Sequence, residues 1–210
     1  MSVAVFIRHY RRAFLHPGRV FDALILENKG LQCSVIAVSI PAVLYSLVYV
    51  FLILGGGLPF KPWLPIPPEV YYRYNVFFCA PSMFLGWGLA TGAVHIVCRL
   101  LGARGLFRQT LVVFGFGISI ASWSTGIHDI ITSFLGAIHV IDQNHYEHLL
   151  NSPTIWRALL WLLMGIYVIW FIFLFSKGIK AVYGFGIVAS IALGTLGFAV
   201  YQGFFLVFNR

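Results

Sequence analysis

A chain of 210 residues that is 60% hydrophobic and only 10% charged, with a mean hydropathy of +0.90, carries too much apolar surface for one water-soluble core. Its formal net charge of +8 invites a nucleic-acid partner. The charges stand between long apolar blocks, however, so the balance excludes nucleic acid and makes lipid the solvent.

Residues 1–31 form a basic N-terminal segment. At about 100° per residue, Val3, Phe6, Ile7, Tyr10, Ala13 and Phe14 share one side of a helix, while Arg8, His9, Arg11 and Arg12 take the other. This pattern predicts a helix lying in the membrane interface, apolar side down, with its arginines towards anionic headgroups. His16-Pro17-Gly18 breaks it, and Val20, Phe21, Leu24 and Ile25 begin a second amphipathic stretch. Arg11-Arg12-Ala13-Phe14-Leu15 has the wording of a twin-arginine export signal, but Pro17, Gly18, Arg19 and Asp22 follow where an apolar region is required.

Residues 32–210 carry five apolar stretches, 32–54, 76–100, 109–131, 155–175 and 182–207. Each matches the roughly 20 residues a helix needs to cross hydrocarbon. The predicted fold class is therefore all-α, a polytopic integral membrane bundle of five transmembrane helices preceded by amphipathic interfacial helices. The first connection, 55–75, holds Pro59, Pro62, Pro65, Pro67 and Pro68 and is expected to be an extended loop. Its Trp63, Tyr71, Tyr72 and Tyr74 suit the headgroup layer.

Orientation is read from the basic residues, which concentrate in cytoplasmic connections. Ten fall on one side: Arg8, Arg11, Arg12, Arg19, Lys29, Arg99, Arg104, Arg108, Lys177 and Lys180. The other side has Lys61, Arg73, Arg157 and Arg210, with the acids Glu69, Asp129, Asp142 and Glu147. The expectation is a cytoplasmic N-terminus and an external C-terminus.

The run His95-Ile96-Val97-Cys98-Arg99-Leu100-Leu101-Gly102-Ala103-Arg104-Gly105-Leu106-Phe107-Arg108-Gln109-Thr110 resembles the signature of the Yip family, the Ypt-interacting-protein-like membrane proteins. Phe14-Leu15-His16-Pro17-Gly18-Arg19-Val20-Phe21 is similar to the family's stretch before its first span. Ile169-Trp170 followed by Ser176-Lys177-Gly178-Ile179-Lys180-Ala181 resembles its short fourth connection. Gly102-Ala103 stands where the family often has two glycines. The resemblance covers essentially the whole chain and implies a compact five-span bundle with its N-terminus inside. It also implies Rab-type GTPase association in ER or Golgi membranes for eukaryotic members, and supplies no activity for prokaryotic ones. The chain lacks the long polar N-terminal arm of many eukaryotic members, which favours a prokaryotic protein of the plasma (inner) membrane.

Gly102 and Gly105 allow a tight turn that presents Arg99, Arg104 and Arg108 to the headgroups or to a partner. His95, one turn from Arg99, is an intramembrane polar residue expected to bond within the bundle; with His128 at the far end of its span, it cannot share one haem iron. His128, Asp129, His139, Asp142, His145, Glu147 and His148 are candidate metal ligands by type. On a helix, His139, Asp142, His145 and His148 drift by about 60° per step, so no metal site is expected of them. Cys33, Cys79 and Cys98 lack a CxxC pairing and read as packing residues. Gly88 and Gly92, Ala121 and Thr125, and Gly186, Ser190 and Gly194 read as ridges for close helix packing.

There is no GxxxxGK[ST], GxSxG or HExxH, and no acid lies nearer the midplane than Asp129. The expected function is that of a non-enzymatic, cofactor-free membrane protein that organises the bilayer, a protein partner or copies of itself. The alternative is a small transport or channel component of a larger permease.

Overall fold

The computed structural model describes residues 3–59 and 63–209; Lys61, Pro62 and Arg210, which entered the sequence reading, lie outside them. Among the described residues all regular structure is helical: α1 (Val3–Leu15), α2 (Pro17–Leu26), α3 (Gly30–Leu54), α4 (Pro68–Leu100), α5 (Phe107–Ala121), α6 (Trp123–Ala137), α7 (Gln143–Asn151), α8 (Ile155–Tyr183) and α9 (Ile187–Asn209). Helices α3, α4, α8 and α9 are each long and apolar enough to cross a membrane alone.

Helices α5 and α6 pass that test only as a pair, bent by 44° at Ser122. Ser122 Oγ donates to the Ile118 carbonyl at 2.8 Å and Ser124 Oγ to that of Ala121 at 2.6 Å, so hydroxyls compete with the helix ladder where it bends. The pair still runs the length of α3. Ser34 Oγ reaches the Val112 carbonyl at 2.7 Å, Tyr45 bonds Thr125 at 2.9 Å, and Gly55 lies against the Gly136 backbone at the far end. By length and composition the described residues thus hold four crossings, or five with the bent α5–α6 pair as one, and the chain is a multi-pass membrane protein.

Two boundaries and the placement of two tyrosines differ from the sequence reading. Helix α4 starts at Pro68, so 68–75 is helical rather than extended; Pro68 sits in the first turn, where its missing N–H has no partner to lose. Helix α8 continues through Ser176–Ala181, the stretch read as a connection, and stops at Gly184, whose φ of 70° ends it. Tyr71 and Tyr72 turn inward, Tyr71 fully buried and Tyr72 stacked on Tyr49 at 5.9 Å, whereas Trp63 and Tyr74 are exposed.

Contacts define the two ends. Arg108 donates to the Asn28 carbonyl at 2.6 Å, and Tyr183 packs on Gly105, which gathers Lys29, Arg99, Arg104, Arg108 and Lys180 at one end. The opposite end collects Asp129, Asp142, Glu147, Arg73 and Arg157. These are called the basic and acidic ends.

Towards the basic end the core is packed with aromatic rings. Phe114 and Phe175 stack at 3.8 Å, and Phe171 meets Phe175 edge-on at 4.8 Å. Gly117 and Gly197 admit the Phe175 ring: a Cβ at either would come within 3.1 and 2.9 Å of it. Gly88 and Gly92 do not serve as a packing ridge, because no atom stands within 4 Å of a Cβ built there. Of the small residues read as ridges, Gly194 does bring helices together, its backbone lying against Ser176 and Ile172 of α8.

Helix α1 forms as expected, and Phe6, Tyr10 and Ala13 of its apolar side meet protein, while Val3 and Ile7 stay exposed. Phe6 and Tyr10 pack on Phe116 at 6.1 and 6.2 Å, and Ala13 is fully buried. The Tyr10 hydroxyl bonds Ser119 Oγ at 2.7 Å and accepts the Trp123 indole N–H at 2.7 Å, on either side of the α5–α6 break. His9 reaches Glu27 at 2.9 Å. Trp123→Phe removes one hydrogen bond of about 1 kcal/mol and should raise protease cleavage within α1 about fivefold, without loosening the spans. Cleavage equal to that of the parent would show that the bundle does not hold this helix.

Candidate functional site

The acidic half of the bundle encloses a cavity of about 340 Å³. Pro59, Gln143, Tyr146, Glu147 and Leu150 form its rim, and Tyr45, Thr125, Tyr167 and Gln202 its deep wall. Below that wall Tyr167 meets Phe171 edge-on at 5.3 Å, so the aromatic core closes the cavity towards the basic end.

The rim is built by α7. Asp142 caps this helix, accepting from the backbone N–H of Asn144 at 2.9 Å and of His145 at 3.0 Å. Asn144 then ties α7 to the connection after α3: its Oδ1 accepts from Leu58 N at 3.0 Å and its Nδ2 donates to the Gly56 carbonyl at 3.2 Å. Gln143 fits between Gly57 and Gly136, is only 4% exposed, and its Oε1 has no hydrogen-bond partner among the described residues. An acceptor buried without a partner is costly, and here it accompanies the close seating of Gln143 on Gly136.

The tyrosines are fixed by hydrogen bonds. Tyr45 bonds Thr125 at 2.9 Å, Tyr167 donates to Gln202 Oε1 at 2.8 Å, and Tyr49 to the Asn209 carbonyl at 3.3 Å. His128 links α6 to α7: its Nδ1 is 2.9 Å from Asp129 Oδ1 and its Nε2 is 2.8 Å from the Tyr146 hydroxyl. A neutral ring that donates from Nδ1 to Asp129 can accept the Tyr146 proton at Nε2. Each aromatic ring therefore has a set position before any ligand arrives.

Charge in the cavity has one sign. Asp129 and Glu147 line it, and no lysine or arginine does so among the described residues. Burial pushes the Glu147 carboxyl above its ordinary range, the Asp129 charge adds to that rise, and His128 opposes it. Burial likewise raises the Tyr146 phenol, followed by the charges of Asp129 and Glu147.

The residues singled out from the sequence are scattered. His139, at a φ of 57°, precedes α7; Asp142 is its cap; His145 and His148 are exposed on it. Among the described residues no three His, Cys, Asp or Glu groups stand close enough for a metal ion. His95 lies at the basic end, its Nδ1 2.7 Å from the Tyr183 hydroxyl, which is also 2.7 Å from Thr110 Oγ1. Arg8, Arg11, Arg12, Arg99, Arg104 and Arg108 are exposed.

Sequence reasoning missed the cavity because its walls come from α3, α4, α6, α7, α8 and α9. One signal was available: His128-Asp129 inside an apolar stretch, where ionisable groups are expensive without a task.

Fold and site together define a multi-pass helical membrane protein with a polar, acidic cavity near one face. No protein family, curated protein or solved structure matches the chain.

Proposed function

We propose that the protein is a non-enzymatic membrane component that binds a small organic cation at its acidic end, as the binding part of a transport assembly. The carrying observation is the cavity itself: about 340 Å³, two carboxylates, preset tyrosine rings and no lysine or arginine in its lining among the described residues. Its volume falls in the range of small-molecule sites, and aromatic faces attract an ammonium more strongly when water is excluded. The closed aromatic core below it supports binding first, with any passage needing a rearrangement driven by a partner.

Choline and its neutral isostere 3,3-dimethylbutanol provide the test, by calorimetry on protein in lipid nanodiscs. Choline should bind and the alcohol should not. Equal binding of both, or of neither, would overturn the reading.

A second role, at the opposite end, is favoured by a separate observation. The side chains of Arg99, Arg104 and Arg108 are all exposed there, a basic surface suited to anionic headgroups or an acidic protein partner. This is the surface an organiser of the Yip type would use. It belongs in the cytoplasm by the charge bias. Reporter fusions after Arg104 and Gly184 should be cytoplasmic and fusions after Asp142 external; the reverse pattern would invert the topology.

A further inference from the structure

Away from the acidic cavity, helices α8 and α9 leave a groove of about 340 Å³ on the bundle surface near the basic end. Its walls are Ile169, Ile172, Phe173, Ile187 and Ile191, and its floor is Ser176 and Ser190. The floor is dry in chemical terms. Ser176 Oγ donates to the Ile172 carbonyl at 2.6 Å and Ser190 Oγ to that of Phe185 at 3.3 Å, so both hydroxyls spend their protons within the chain. Hydrocarbon suits such a surface better than a polar solute does.

The lip has the opposite character. Lys177 and Lys180, both exposed, stand one helical turn apart on α8 at the end of the groove. Lys177 Nζ lies 5.3 Å from the centre of the Phe173 ring, which holds the ammonium over the groove's edge. No carboxylate lines the groove, and neither lysine has an acidic partner within ion-pair distance among the described residues. From Ile169 to Lys180 the helix rises about 16 Å, close to the depth of one leaflet of a hydrocarbon core of about 30 Å.

We infer that this groove is a binding site for one anionic glycerophospholipid of the leaflet at the basic end, an acyl chain lying between α8 and α9 and the phosphate resting on Lys177 and Lys180. A zwitterionic lipid fits the apolar walls but brings a choline or ethanolamine cation to the same two lysines. The site discriminates by headgroup charge, while the chain supplies most of the contact.

Native mass spectrometry of the full chain, titrated with phosphatidylglycerol and with phosphatidylcholine of the same acyl chains, reads this out. One phosphatidylglycerol should be retained in preference to phosphatidylcholine. In K177Q/K180Q its binding should weaken roughly thirtyfold, about fivefold for each lysine near an anionic group. Ile191→Trp, which fills the groove and leaves the lysines, should displace the lipid as well. Both changes are at exposed positions, and an unaltered elution volume shows that the bundle has kept its fold. Equal retention of the two lipids, or phosphatidylglycerol retention untouched by either variant, would overturn the site.

Discussion

Glu147→Gln is expected to weaken choline binding on the order of 100-fold while leaving the empty protein at least as stable as the parent at neutral pH. The two halves follow from one fact. Glu147 is held where burial, with Asp129 adding to it, disfavours its charge, so its folded pKa stands above the ordinary 4.5. The folded state then holds this proton more tightly than the unfolded chain does. Its contribution to stability is greatest at low pH and is lost as pH rises from the ordinary value through the raised folded one. Cation binding runs the other way, because the carboxylate must be ionised to attract an ammonium. Over that window choline affinity should rise while thermal stability of the empty protein falls, and Glu147→Gln should flatten both slopes. The groups facing Glu147 are His128 and Asp129 from α6, Tyr146 on α7 and Tyr72 from α4. Choline affinity unchanged by the substitution, or by pH, would remove Glu147 from the site.

Phe175→Ala should cost about 3–5 kcal/mol, the largest effect expected of a core truncation. The ring is fully buried, stacked on Phe114, edge-on to Phe171, and seated over Gly117 and Gly197. Those glycines cannot refill the space, so the cavity remains. The aromatic plug beneath Tyr167 would also be opened, and the variant should show leakage of small solutes in liposomes alongside a lowered unfolding temperature. Loss of less than about 1 kcal/mol would mean that the helices collapse around the gap.

How far the sequence carried depended on the kind of signal. The spans were legible because apolar length is a local property, and α3 begins and ends within two residues of the expected positions. Their ends elsewhere were not: Pro68 was placed in an extended loop and Ser176–Ala181 in a connection, yet a proline in the first turn is tolerated and Gly178 lies inside the helix where Val113 crowds it. The bend at Ser122 leaves no apolar gap and was hidden for that reason. Helix α1 was legible as an element, but its packing on Phe116 was not, since an apolar stripe has the same spacing whether lipid or protein covers it. The cavity needed six helices brought together. His128-Asp129 hinted at it, and Glu147 stood out only by type, as one of several external His and acid residues, with nothing local to show that it is the one turned into the cavity.

Accessibility of the cavity from the acidic side is the claim on which the rest depends, and Thr132, one of its lining residues, offers a handle. In Thr132→Cys, with Cys33, Cys79 and Cys98 all buried as a low background, a membrane-impermeant cationic thiol reagent should label the new cysteine when added at the acidic face. Labelling should be slowed by choline and absent from the basic face. No labelling from the acidic face, or equal rates from both faces with no protection by choline, would contradict the account.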